Sequence, residues 1–200
     1  MPELDFTGTE LDAAFIKKCP RRENKDEVLI VVDMQNDFID GSLGTKEAVG
    51  IVDRVAEVMD SFDGAVICTR DTHFADYLET SEGRKLPVEH CIEGTKGHAL
   101  QDTIQKMAEK KQAVVMNKIT FGAKNLPEEI EKLAGGVPEF IELVGLCTDI
   151  CVISNSMLLK AFYPEVPISV DASACAGVTP QSHKNALEAM KMCQIDIVNE

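Results

Sequence analysis

The chain has 200 residues, of which 44% are hydrophobic, and this size and composition suit one ordinary domain with a substantial core. Its 20 basic and 34 acidic residues give a formal net charge of -14, and no basic run interrupts the acidic balance, so a nucleic-acid partner is excluded. The longest apolar runs are far shorter than the roughly 18 to 20 residues of a membrane span, which predicts a soluble protein without a membrane partner.

Residues 1–26 are polar and carry both charge signs, so we predict an irregular N-terminal arm without a secretory signal. The chain contains 7 cysteines, several of them inside apolar runs, where cysteine behaves as a small hydrophobic residue. No two cysteines form a CxxC pair, so a structural zinc site built on thiolates is not expected. We therefore predict a cytoplasmic protein whose single domain spans residues 27–200.

From residue 27 onward, apolar β-branched runs alternate with stretches of helical periodicity. The predicted strands are residues 27–33, 65–69, 113–117, 139–145, 166–171 and 195–198. The predicted helices are residues 49–59, 99–109, 127–134, 151–162 and 180–192. This alternation predicts an α/β fold with three layers, α/β/α, built on an open six-stranded, mainly parallel sheet.

Open α/β sheets bind ligands at the carboxyl ends of their strands, so the polar residues just past each predicted strand are candidate functional residues. These residues are Asp33, Asp71, Lys118, the turn from Cys147 to Cys151, and Asp171.

Three of these candidates form a predicted nucleophilic group. Cys151 opens a predicted helix, and a helix N-terminus together with a cation such as Lys118 lowers the pKa of a thiol. Asp33 can take the thiol proton and return it to a leaving amine. The backbone N–H groups of Cys147 and Cys151 can hold a developing oxyanion. Each residue alone more often has a packing or capping role, so the hypothesis depends on their occurring together.

Residues 70–98 form a polar stretch that is too long for an ordinary connection, which makes it a candidate functional loop. One carboxylate and two imidazoles in this stretch suit one divalent metal ion, with zinc preferred over iron or manganese. The alternative is that the histidines are simply exposed. The predicted ligands are Asp71, His73 and His90, with Glu82 as a further ligand or neighbour and Glu79 as its competitor. His98 and His183 are assigned to surface or helix positions.

Several ordered motifs resemble those of the cysteine hydrolases of the isochorismatase-like superfamily. Asp33-Met-Gln-Asn-Asp37-Phe38 is similar to their D-x-Q-x-D-F signature, and Gly145-Leu-Cys-Thr-Asp-Ile-Cys151 is similar to their nucleophile turn. Arg70-Asp-Thr-His73 and residues 86–97 resemble the metal segment of the nicotinamidase and pyrazinamidase branch. The resemblance extends from about residue 27 to the C-terminus.

The resemblance implies an amidase in which Cys151 attacks a carboxamide carbon, Asp33 protonates the leaving ammonia, and water hydrolyses the thioester. Lys118 would stabilise the thiolate and orient Asp33. The metal would bind the ring nitrogen of the substrate directly or through water and thereby position it. A cis peptide at Leu146–Cys147 would aim an N–H group into the oxyanion hole, and relatives commonly form homo-oligomers.

The expected substrate pocket differs from that of many nicotinamidases. They carry a Trp at the position where this chain has Leu86, and this chain contains no Trp at all. We expect Phe38, Phe121 and Leu86 to line the pocket. Three alternatives follow: an amidase for a different small amide, a non-haem iron oxygenase, or a non-catalytic binding protein. An iron-dependent oxygenase reaction would not use Cys151 or Lys118. A non-catalytic binding protein is expected to lack at least one of the three catalytic residues, and this chain has all three.

Overall fold

The computed structural model describes residues 26–200, so the predicted N-terminal arm lies outside the described residues except for its last position. Six strands form one sheet in the order β3-β2-β1-β4-β5-β6, and all neighbouring strands are parallel. The strands are β1 (Glu27–Val32), β2 (Ala65–Asp71), β3 (Val114–Lys118), β4 (Phe140–Leu146), β5 (Ile168–Ala176) and β6 (Asp196–Val198). The predicted α/β class and the open six-stranded sheet are confirmed.

Helices connect the strands and cover both faces of the sheet. They are α1 (Asn36–Ile39), α2 (Lys46–Gly50), α3 (Val52–Ser61), α4 (Asp102–Lys110), α5 (Leu126–Ala134), α6 (Ile153–Phe162) and α7 (Pro180–Met192). The predicted helix 180–192 is confirmed to the residue. The predicted helix 49–59 is two helices that meet at Ile51, because Thr45 caps a separate short helix by accepting a hydrogen bond from the Ala48 N–H.

Strand β1 shows why the fold has three layers. Val28, Ile30 and Val32 point to one face, where they pack with residues of α5, α6 and α7. Leu29 and Val31 point to the other face and pack with residues of α2, α3 and α4. All five side chains are fully buried, and each buried side chain of this size stabilises the fold by roughly 1.5 to 3 kcal/mol.

The strand order reverses between β1 and β4, which makes the carboxyl ends of these two strands the switch point of the sheet. Val32 at the end of β1 pairs with Gly145 near the end of β4. Gly145 has φ +112°, and a Cβ atom there would lie 2.2 Å from the Val32 carbonyl oxygen. A glycine is therefore required for the two strand ends to lie this close together.

The prediction that Asp171 ends a strand is wrong. Strand β5 continues to Ala176, so Asp171 lies inside it and away from its carboxyl end. Its carboxylate is buried and accepts hydrogen bonds from Arg54 Nη2 at 2.9 Å, Ser173 Oγ at 2.6 Å and Asn199 Nδ2 at 3.0 Å. Because these partners satisfy the carboxylate, an acidic residue remains compatible with the strand interior.

Candidate active site

The three predicted catalytic side chains lie at the carboxyl edge of the sheet. Asp33 follows β1 directly with a positive φ of 48°, Lys118 is the last residue of β3, and Cys151 lies in the turn after β4. That turn, Thr148–Val152, is π-helical, and the regular helix α6 begins only at Ile153. The predicted helix start at Cys151 is therefore two residues early.

Lys118 joins the predicted catalytic residues in one buried cluster. Its Nζ atom lies 2.7 Å from Asp33 Oδ2, 3.4 Å from Cys151 Sγ and 3.1 Å from Asp71 Oδ1. All four residues are buried. The structure thus places Asp33, Lys118 and Cys151 together, as predicted, with Asp71 as a fourth member.

The Asp33 carboxylate is oriented by a residue that the sequence analysis missed. Thr69, on β2, donates its hydroxyl hydrogen to Asp33 Oδ1 at 2.7 Å, and its Oγ1 accepts a hydrogen bond from the Asp33 N–H at 3.2 Å. Asp33 Oδ2 lies 2.7 Å from the Lys118 ammonium, so each oxygen of the carboxylate is held by a different side chain.

The surroundings of Cys151 favour the neutral thiol over the thiolate. Burial raises the pKa of Cys151 well above its usual range, the neighbouring Asp33 carboxylate raises it further, and the Lys118 charge opposes both only in part. The expected thiolate, with a pKa lowered by Lys118 and a helix N-terminus, is not what this environment favours. The physical reason is that Cys151 is buried and has a carboxylate beside it.

Asp33 and Lys118 keep opposite charges beside that thiol. Burial lowers the pKa of Lys118, but the negative charges of Asp33 and Asp71 outweigh burial and raise it, so the ammonium stays charged. Burial raises the pKa of Asp33 above the ordinary carboxyl value, against the lowering effect of Lys118. A buried carboxylate with a raised pKa suits a group that takes up and returns a proton.

A second cluster forms beside the first from the four predicted metal ligands. The ligand atoms of Asp71, His73, Glu82 and His90 all lie within 4.8 Å of one another. His73 Nε2 is 3.0 Å from Asp71 Oδ2 and 3.7 Å from Glu82 Oε1, and His90 Nε2 is 3.8 Å from each of these two oxygens. Among the described residues, Glu82 and not its competitor Glu79 belongs to this group.

This geometry fits a divalent cation. A tetrahedral zinc ion at about 2.0 to 2.2 Å from its ligands holds them roughly 3.3 to 3.6 Å apart, which is close to the measured spacings. His73 Nε2 is buried without a hydrogen bond, although Asp71 Oδ2 lies 3.0 Å away. His90 Nδ1 lies 2.8 Å from the Val88 carbonyl, so it carries the proton and leaves the Nε2 lone pair toward the cluster.

Gln35 holds the backbone of Asp71, the residue shared by both clusters. Its Oε1 accepts a hydrogen bond from the Asp71 N–H at 2.7 Å, and its Nε2 donates to the carbonyls of Asp71 and His98 at 2.9 Å each. The Gln35 side chain is fully buried. The D-x-Q-x-D-F motif is the only sequence signal that could have pointed to this residue.

The second aspartate of that motif fixes the loop that carries His90. Asp37 Oδ2 accepts a hydrogen bond from the Cys91 N–H at 2.8 Å. Cys91 and Glu93 in turn bracket His73, because the His73 N–H donates to the Cys91 carbonyl and the Glu93 N–H donates to the His73 carbonyl. These contacts bring both histidines of the metal cluster to one place.

A cavity of about 610 Å³ opens above Cys151 and the metal cluster. The predicted pocket residues Phe38, Leu86 and Phe121 all line it, and the Phe38 ring centroid is 5.5 Å from that of His90. The Leu146–Cys147 peptide is cis, as the resemblance implied, and both residues also line the cavity.

His98 differs from its assignment to the surface. It is buried, and its Nε2 lies 2.9 Å from the hydroxyl of Thr72, beside the metal cluster rather than in it. His183 is half-buried on α7 and contacts the Thr148 hydroxyl at 2.8 Å.

Among residues 26–200, no helix is long and apolar enough to cross a membrane.

The chain is similar to proteins of one family along nearly all of the described residues. The family model described as the isochorismatase domain matches residues 27–199. The nicotinamidase/pyrazinamidase of Mycobacterium tuberculosis is 27% identical, and the match covers 85% of this chain and 97% of that protein.

Two solved structures have the same fold. The pyrazinamidase of Pyrococcus horikoshii, in complex with zinc, has a TM-score of 0.69 and 27% identity, and the match covers 88% of this chain and 99% of that one. The N-carbamoylsarcosine amidase of Thermoplasma acidophilum has a TM-score of 0.69 and 28% identity, with 86% of this chain and 94% of that one covered.

Proposed function

The chain belongs to the isochorismatase family and is an amidohydrolase, and from that premise we propose that it hydrolyses nicotinamide or a related small carboxamide through a Cys151 thioester. One observation carries the proposal: the Lys118 ammonium touches Asp33 and Cys151 at once, at 2.7 and 3.4 Å. A buried acid, cation and thiol in direct contact are the groups that a nucleophilic amide hydrolysis needs.

In the first half of the reaction, the Asp33 carboxylate takes the proton of the Cys151 thiol as the sulfur attacks the amide carbon. The new S–C bond converts the carbonyl oxygen into an oxyanion, which the backbone N–H groups of Cys147 and Cys151 hold. When the oxyanion collapses, the C–N bond breaks, and Asp33 gives its proton to the departing ammonia. The neutral resting thiol fits this scheme, because deprotonation then accompanies attack.

In the second half, Asp33 is again a carboxylate and activates a water molecule. The water oxygen bonds to the thioester carbon, the C–S bond breaks, and the proton held by Asp33 returns to the sulfur. The products are the carboxylic acid and free enzyme. Throughout, Lys118 keeps Asp33 oriented and balances the charge that moves between carboxylate and sulfur.

We propose that Asp71, His73, His90 and Glu82 hold one divalent metal ion. The donor set and its spacing support zinc, with iron or manganese as alternatives, and the similar pyrazinamidase was solved with zinc. When bound, the ion supplies a positive centre that positions a ring nitrogen of the substrate. Asp71 would help to hold the ion while its Oδ1 atom stays 3.1 Å from Lys118 Nζ.

A different small amide is the second candidate substrate. The absence of Trp from the chain and the similarity to an N-carbamoylsarcosine amidase favour testing it. A non-catalytic role on the same fold has less support, because Asp33, Lys118 and Cys151 are all present and in contact.

Three further proposals concern the domain organisation, the cellular location and the oligomeric state of the protein. We propose that residues 27–200 form a single isochorismatase-like domain, that the protein is cytoplasmic, and that it associates into a homo-oligomer. The six cysteines within the described residues are all free, which supports a reducing compartment. Sedimentation at several concentrations tests the oligomeric state.

The proposed function is tested by measuring ammonia release from nicotinamide with the wild type and with Cys151→Ala prepared identically. Ammonia release by the wild type alone supports the reaction and the role of Cys151 as its nucleophile. Equal release by both proteins would reject Cys151 as the nucleophile of the observed reaction. Metal content after purification without chelator tests the second cluster. Bound metal in the wild type that is lost in His73→Ala is expected, and a wild type without metal would reject the site.

A further inference from the structure

The cavity above Cys151 is larger than a single-ring carboxamide requires. It measures about 610 Å³, in the middle of the range of roughly 300 to 1,000 Å³ for pockets that enclose drug-sized ligands. A carboxamide on one six-membered ring is far smaller than such a ligand. If its amide carbon contacts the Cys151 sulfur, most of the outer cavity stays filled with water.

The outer part of the cavity is apolar and exposed. Ile119, Phe121, Val178 and Leu86 line it, and 66%, 46%, 51% and 39% of their respective surfaces remain accessible. They come from three separate segments that follow β3, follow β5 and precede His90. Exposed apolar side chains that converge from separate segments around one opening are typical of a ligand-binding groove.

Apart from its cysteines, the cavity is lined by four ionisable side chains, and three of them belong to the proposed metal site. Asp71, Glu82 and His90 belong to the metal cluster, and Lys85 is an exposed residue of the loop that carries Leu86. The remaining wall offers mainly aliphatic and aromatic contacts, with Phe38 and Phe121 available to pack against a flat ring. The part of a ligand that contacts Ile119, Phe121 and Val178 is therefore expected to be apolar.

We infer that the preferred substrate is a primary carboxamide on a flat, uncharged body larger than one ring, whose outer part packs on Ile119, Phe121 and Val178. The inference rests on the proposed function, because it assumes that the amide carbon meets Cys151.

The test compares kcat/KM for ammonia release from nicotinamide and from 5-phenylnicotinamide, a bicyclic amide that adds one apolar ring and leaves both carbons beside the ring nitrogen unsubstituted. Burial of the extra ring predicts at least a tenfold higher kcat/KM for the bicyclic amide, chiefly through a lower KM. Ile119→Ser is expected to reduce this preference severalfold. Val137→Ser is the matched control, because Val137 is 67% exposed and is not among the residues that line the cavity.

Each outcome is decisive. Ammonia from nicotinamide with no preference for the bicyclic amide, or a preference that Ile119→Ser leaves at the Val137→Ser value, overturns the inference and leaves the proposed function standing. No ammonia from either amide overturns both. If Ile119→Ser instead changes the sedimentation coefficient without changing the preference, the exposed residues contact a second copy of the chain, and the inference is wrong.

Discussion

Replacement of Gln35 by Met tests how the fold holds the shared ligand Asp71. Methionine keeps the length and burial of the side chain but removes its hydrogen bonds to the Asp71 N–H, the Asp71 carbonyl and the His98 carbonyl. A buried polar group that loses its partner costs about 1 to 3 kcal/mol. With three such groups we expect the free energy of unfolding to fall by about 3 to 9 kcal/mol.

A loss of stability alone would not show that Gln35 positions the metal ligand, so the decisive readout is metal affinity. Because Asp71 loses its backbone anchor, we expect the folded, metal-free Gln35→Met protein to bind zinc about 10 to 100 times more weakly than the wild type. Equilibrium dialysis of the metal-free protein against buffered zinc measures this dissociation constant. Urea unfolding of the same samples measures the stability.

Gln101 provides a matched control. Its side-chain oxygen also accepts two backbone hydrogen bonds, from Thr103 and Ile104, but these cap helix α4. Gln101→Met should lower the free energy of unfolding by about 0.5 to 2 kcal/mol and leave zinc affinity unchanged. If Gln35→Met binds zinc as tightly as Gln101→Met does, Gln35 has only a structural role and the reasoning fails.

Three further predictions test other parts of the account. Asp33→Asn should lower kcat by about 10² to 10⁴ because the thiol loses its base, and a smaller effect on initial ammonia-release rates would remove Asp33 from that role. In the wild type, kcat/KM should fall as pH drops, because Asp33 must be ionised to accept the thiol proton. The midpoint of this fall should lie above the ordinary carboxyl pKa of 3.8, because burial raises the pKa of Asp33. A midpoint at or below 3.8 contradicts the role of Asp33 as the base. Gly145→Ala should lower the free energy of unfolding, measured in urea, by at least about 1 kcal/mol. The added Cβ would lie 2.2 Å from the Val32 carbonyl oxygen, and φ at this position is positive. A variant as stable as the wild type would refute the packing argument.

The parts of the site that follow strands were predictable from sequence. A continuous apolar run ending in Asp33, and a second ending near Lys118, place these residues at one edge of a parallel sheet whatever the details of the helices. The same rule failed for Asp171, because an acidic residue inside a strand looks like the end of the strand. The contacts with Arg54, Ser173 and Asn199 make that position possible.

The supporting residues were not predictable in the same way. Thr69 lies in the middle of a buried strand, where a threonine is an ordinary strand former, and its bond to Asp33 spans 36 positions of sequence. The raised pKa of Cys151 was also missed, because it depends on how far the fold removes the thiol from water and on the carboxylate beside it. Sequence spacing shows which residues share an edge of the sheet but not how well they are desolvated.

The central claim is that amide hydrolysis proceeds through an acyl group on Cys151, and product partitioning tests it most directly. Nicotinamide and methyl nicotinate carry the same acyl group, so with hydroxylamine present the wild type should convert both into hydroxamate and acid in one common ratio. Cys151→Ala should form neither product above the blank. A ratio that depends on the leaving group, or hydroxamate formation by Cys151→Ala, would contradict a shared Cys151 thioester.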